Sequence, residues 1–196
     1  MWPWEHLAVG YLVVALALRF GWHRSPDAWT AVAVAVGTQF ADLVDKPLAW
    51  QFGVLESGTS VAHSIFVAVP LSVLIVAVAW YFDRTVVGAA FAVGYLLHLP
   101  ADAMYGAVYG SGMDFGKLLW PVVTGPSSDY GSFFENFAFY LERLGRVLDS
   151  PRGLAIIAFE VTLLGSAFVV WVADGLPGIP RIGRPRGRNV RRVEHR

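Results

Sequence analysis

Five apolar runs of membrane-spanning length, separated by short polar breaks, set the pattern of this chain. They are Trp4 to Phe20, Ala28 to Val44, Val61 to Phe82, Val86 to Met104 and Leu154 to Val172. A helix needs about 20 predominantly apolar residues to cross a bilayer, and each run is close to that. The breaks carry helix signals. Pro26-Asp27 suits the start of the second run, Lys46-Pro47 its stop, and Asp83-Arg84 a tight hairpin between the third and fourth. Trp2, Trp4 and Trp22 flank the first run as interface anchors. Gly88, Ala89, Ala90, Ala92 and Gly94 suit close helix packing in lipid, and Pro70 and Pro100 predict kinks.

Between Tyr105 and Ser150 the pattern changes to a glycine-rich stretch, then Leu118-Leu119-Trp120-Pro121, then a polar turn. Ser132 with Glu135 three residues on is a capping box. Beyond it Phe133, Phe137, Tyr140, Leu141, Leu144 and Val147 recur at helical spacing, with Glu135, Glu142, Arg143 and Arg146 on other faces. The spacing predicts an amphipathic helix over Phe133 to Leu148, lying on the bilayer or capping the bundle. The fold class expected is all-α: a polytopic membrane helix bundle of about five transmembrane helices plus one amphipathic extramembrane helix. Residues 1–173 form one domain, with 105–150 as its outer loop, and 174–196 form a disordered basic tail.

Composition agrees with a membrane protein. The chain is 56% hydrophobic and 15% charged, with mean hydropathy +0.52, whereas soluble domains are roughly a quarter charged. It has no cysteine, which excludes disulfides, a thiolate metal site and a cysteine nucleophile. The first run lacks the basic start of a secretory signal, and Arg19 directly follows its Ala15-Leu16-Ala17, so it reads as a retained helix. Seven arginines crowd the tail. They act as a topology signal, and no nucleic-acid partner is expected. With five spans the chain is then a multi-pass protein of the cell membrane, N-terminus outside and C-terminus cytoplasmic.

Up-down alternation brings the ionisable residues to one membrane face. His6 opens the first span, Asp42 and Asp45 end the second, His63 falls in the first turn of the third, and His98 and Asp102 end the fourth. His98 and Asp102 are four apart, and Asp42 and Asp45 three apart, so each pair shares a helix face. Pro100 frees the carbonyl of Leu96 beside His98. Three of the five histidines converge there. Three imidazoles with two or three carboxylates are a ligand set for a divalent metal ion, Zn²⁺, Mn²⁺ or Fe²⁺, one ion or two. A metal so held lowers the pKa of bound water, and Asp45 or Glu5, if not a ligand, would serve as general base. The bland alternative is a structural membrane protein whose ionisable residues are wetted at the interface. Glu160, within the fifth span, has no partner legible in the sequence.

Glu5 to Tyr11 (EHLAVGY), Ala41 to Pro47 (ADLVDKP), Ala62 to Val67 (AHSIFV), Gly94 to Asp102 (GYLLHLPAD) and Leu118 to Pro121 (LLWP) resemble the YdjM-like, membrane-bound metal-dependent hydrolases. The resemblance covers roughly the first two-thirds of the chain. It implies a metal site of His6, Asp42, His63, His98 and Asp102, with Asp45 left as the catalytic base. The chain departs from the family where Lys46 follows its aspartates and where the upstream His-Arg pair is replaced by Ser57 and Gly58. The function expected is metal-dependent hydrolysis of an ester or phosphoester in a lipid-like substrate, with membrane lipid as partner. The alternative is a non-catalytic membrane protein that binds or transports a divalent cation. A transporter places its ionisable residues near mid-bilayer on broken helices, whereas these gather at one end.

Overall fold

The computed structural model describes residues 1–107, 112–124 and 131–180. Among the described residues there are six α-helices and no strand: α1 (Pro3–Trp22), α2 (Ala28–Trp50), α3 (Ile65–Tyr81), α4 (Thr85–Tyr105), α5 (Phe133–Leu148) and α6 (Gly153–Ala173). A short 3-10 turn covers Phe115–Leu119. From Arg181 onward the expected disordered tail lies outside the described residues, as do 108–111 and 125–130 of the expected outer loop.

Two helix boundaries differ from the sequence expectation, and both bear on how ionisable side chains are presented. The second helix does not stop at Lys46-Pro47 but runs through Pro47 to Trp50. A proline this close to a helix end removes one donor only, and the amides of Gln51 and Phe52 close the last turn on the Pro47 carbonyl at 3.0 and 3.1 Å. Asp45 and Lys46 are therefore helical. The third helix begins later than expected, at Ile65, with Ser64 as its cap accepting from the Phe66 amide. His63 thus precedes the helix instead of lying in its first turn. By contrast, α5 begins and ends where its spacing places it, and the Ser132–Glu135 capping box is formed.

The centre of the bundle is α4, which packs against α1, α2 and α3. Small residues set its approach to α2. A Cβ on Gly94 would lie 2.8 Å from the Val34 carbonyl and 3.0 Å from the Thr38 amide, and one on Gly37 would run into the Phe91 carbonyl. Two apolar clusters result. One joins Tyr11, Val14, Ala15 and Leu18 to Ala31, Val34 and Ala90. The other, Ala41, Ala62, Ala68, Tyr95 and Leu99, lies toward the end of the bundle where α1 and α3 begin and α2 and α4 end. The opposite end is tied by Asp174, which accepts from Arg19 (2.6 Å) and from the Tyr11 hydroxyl (2.7 Å) and so fixes α6 to α1.

Helices α1, α4 and α6 are each long and apolar enough to cross a membrane. α3 is equally apolar but has 17 residues, which span about 26 Å. α2 has 23 residues and carries Asp42, Asp45 and Lys46 in its last third. α6 leaves Leu154, Phe159, Val161, Phe168 and Val169 exposed, an apolar face that suits lipid.

The α2–α4 contact yields a first prediction. Gly94→Ala should force the two backbones apart and destabilise the fold by about 1–3 kcal/mol. The measurement is the thermal unfolding midpoint in detergent, and an unchanged midpoint would mean that the contact is not tight.

Candidate metal centre

The site begins with a loop wrapped around one carboxylate. Asp45, fully buried on α2, accepts the backbone amides of Ser60 (2.8 Å), Ala62 (2.9 Å) and His63 (3.1 Å), and Nδ1 of the His63 ring donates to it at 2.8 Å. Those amides are spent on Asp45, which is why the chain does not turn helical until Ser64. The His63 ring is held at both its backbone and its Nδ1, and its Nε2 is turned inward.

On α4, His98 is fixed in the same way by a different acceptor. Its Nδ1 lies 2.7 Å from the carbonyl oxygen of Thr38 on α2. A carbonyl can only accept, so the proton sits on Nδ1 and the Nε2 lone pair faces inward. The acceptor belongs to the neighbouring helix α2.

The two Nε2 atoms stand 3.2 Å apart. Asp42 Oδ1 lies 3.5 Å from that of His63 and 3.7 Å from that of His98, and Asp102 Oδ2 lies 3.5 and 3.6 Å from the same two atoms. One ligand atom from each of the four residues lies within 4.8 Å of all the others. A tetrahedral ion with bonds of about 2.0–2.2 Å has ligand–ligand edges of about 3.3–3.6 Å. The five distances above, 3.2–3.7 Å, are close to that size, while the sixth, between Asp42 and Asp102, is bounded only by 4.8 Å. Asp42 Oδ1 is buried and has no hydrogen-bond partner among the described residues, which is costly unless a cation meets it.

The outward atoms of the same residues are all engaged. Asp42 Oδ2 pairs with Lys46 Nζ at 2.5 Å, and Asp102 Oδ1 pairs with His6 Nε2 at 3.0 Å and with the amino group of Met1. Burial alone would lower the pKa of His63, but the carboxylates of Asp102, Asp42 and Asp45 outweigh it and lift the ring to about 10. The carboxylates that raise the His63 pKa are the ones that would favour a cation at this position. Asp42, His63, His98 and Asp102 could therefore hold a metal ion.

His6 comes to the site but outside this quartet, with its ring stacked on that of His98 at 3.9 Å and its Nε2 on Asp102. Asp45 sits beneath His63, its two oxygens taken by the four donors named above, where it orients a ring rather than facing water. Glu5 accepts from the Tyr105 hydroxyl at 3.0 Å and meets Glu160 of α6, the partner that the sequence left unnamed. Two members of the site went unread in the sequence. The Thr38 carbonyl is a backbone atom and has no residue signature, and Lys46 reads there as part of a helix stop.

The model of the YdjM inner membrane protein family matches residues 1–174. No curated protein and no solved structure matches the chain.

Two substitutions separate holding an ion from orienting its ligand. His98→Ala removes an inward lone pair and should abolish binding of Mn²⁺ or Zn²⁺ measured on purified protein. Asp45→Asn leaves the quartet in place but loosens His63, and the affinity should fall about 10–100-fold. Wild-type affinity in Asp45→Asn protein would count against the orienting role.

Proposed function

The chain belongs to the YdjM inner membrane protein family, and on that premise we propose that it is a membrane-bound metal-dependent hydrolase acting on an ester or phosphoester of a lipid-like substrate. The observation that carries the reading is the convergence of four inward ligand atoms, one of them the unpartnered Asp42 Oδ1, at one end of the bundle. A divalent cation held there supplies a water that ionises near neutral pH and an electrophile for an ester oxygen. The two-carboxylate, two-imidazole set suits Zn²⁺, Mn²⁺ or Fe²⁺.

The chain's own groups divide the remaining work. Asp45 and the Thr38 carbonyl fix the two imidazole tautomers. Because Asp45 is sealed from solvent beneath the His63 ring, the proton-transfer role moves from it to His6, which is bonded to Asp102 and stacked on His98. Asp42 and Asp102 keep 9% and 15% of their side chains exposed, so the site is approached over their edge. α5 lies beside that approach, with Phe133 and Tyr140 against the Trp50 ring and Phe134 turned outward. Placed at the bilayer surface, it covers the site while an amphiphile enters from the lipid side.

The second reading, a protein that binds or moves a cation without catalysis, is favoured by one feature. The site already offers four protein ligand atoms, the number found in closed structural sites. Against transport stands the position of the cluster at the helix ends.

We further propose five crossings, N-terminus outside and C-terminus cytoplasmic, supported by the packing of α2 and α3 on α4 and by the arginine-rich tail. Tags at the two termini should be accessible from opposite sides of intact cells. Finding both on one side would end the five-span count. For the chemistry, metal-loaded protein should turn over generic phosphoester or carboxyester lipids, and His6→Ala should keep its metal while losing about 100-fold or more in rate. Metal bound by wild type with no turnover of any ester tried would favour the cation-binding reading.

A further inference from the structure

The side chain of Lys46 pairs with a member of the quartet, Asp42. Its ammonium takes the outer oxygen of the carboxylate whose inner oxygen faces the candidate metal position. Three further observations define its surroundings. Its side chain is 25% exposed, so it is not sealed in the bundle. The face of Trp50 lies 5.6 Å from Nζ and orients the ammonium on one side. The Trp50 indole N–H is buried against Gly58 and has no acceptor among the described residues, so the ring is held between the loop and Lys46.

A helix surface pair at i and i+4 needs none of this. An exposed Lys–Asp pair contributes little, whereas this one forms on a carboxylate whose other oxygen faces the candidate metal position. We propose that Lys46 makes the centre a site for anionic phosphoryl groups, bridging a phosphoester oxygen beside the metal position. This inference rests on the hydrolase reading and narrows its substrate from esters in general to phosphoesters.

The chemistry distinguishes the two ester classes. Lys46 and the metal position are separated by the width of one carboxylate, that of Asp42. A phosphoryl group offers two or more charged non-bridging oxygens on one tetrahedral centre, so one oxygen reaches the metal position while another accepts from Nζ. A carboxylic ester offers a single neutral carbonyl oxygen and cannot satisfy both. An ammonium with three donors, one of them on Asp42, can keep that bond and bind the anion as well.

The test uses purified full-length protein loaded with Mn²⁺ and inorganic phosphate as the probe. Phosphate at the centre is read by paramagnetic broadening of its ³¹P resonance. Wild type should bind phosphate. Lys46→Gln should keep the Mn²⁺ content, because the glutamine amide still donates to Asp42, and should weaken phosphate affinity about tenfold or more. Lys46→Arg should restore most of it. The same variants should separate in kinetics, with Lys46→Gln raising KM for a phosphoester more than for a carboxyester. Vesicles containing phosphatidic acid, set against soluble glycerol phosphate, decide whether the phosphoryl group is presented by a lipid or in solution.

Equal phosphate affinity in wild-type and Lys46→Gln protein would overturn the proposal. So would metal-loaded wild type that ignores phosphate yet hydrolyses a carboxyester, an outcome that leaves the hydrolase reading intact. Protein that takes up no metal would remove both.

Discussion

The buried carboxylate of Asp45 is the constraint on which the rest of this structure depends. Taking a carboxylate out of water carries a penalty on the order of several kcal/mol, offset only when its lone pairs are filled. Asp45 meets that cost with three backbone donors around residues 60–63 and one imidazole, three of the four on Oδ2. That single carboxylate therefore does two things. It gives a loop without regular structure a fixed path beneath the bundle end. It also aims His63 inward, so the start of α3 is set by the same bonds that prepare the site.

The other ligands are positioned by helix packing. His98 can reach the Thr38 carbonyl only because Gly94 and Gly37 let α4 and α2 approach backbone to backbone. Tyr95, one turn away on α4, donates at 2.6 Å to the Ala62 carbonyl and ties the loop to the same helix. The site is thus preorganised from two directions. Each inward atom belongs to a group whose outward atom is already held, so few rotamers remain to be ordered when a cation arrives. The arrangement is costly without a positive charge at its middle, and that cost is the physical basis for reading it as a cation site.

The lipid-facing parts follow other rules. α6 is packed mainly on α1, its exposed face is apolar, and Asp174 fixes its far end to Arg19 and Tyr11. α5 is the reverse, a strongly two-faced helix whose aromatic residues meet Trp50 at the end of α2. The centre lies at the end of the apolar bundle, and α5 packs on Trp50 at the end of the helix that carries Asp42 and Asp45.

Local and periodic features were legible in the sequence. The apolar runs located all five long helices, the Ser132–Glu135 box and the Phe133 to Val147 spacing located α5 to its ends, and the four-residue spacing put His98 and Asp102 on one face. Helix count and face depend on residues near one another in the chain, so pattern suffices. Only the tertiary structure decided what each ionisable group does. It placed Asp45 under His63 as an orienting carboxylate, set His6 beside the quartet rather than within it, paired Glu5 with Glu160, and turned Lys46 from a helix stop into the neighbour of Asp42. The reason is physical: the role of a buried polar group is set by the partners of its outward atoms. Here most of those partners, including the Thr38 carbonyl and the amides of residues 60–63, are backbone atoms or residues distant in sequence, which no side-chain pattern records.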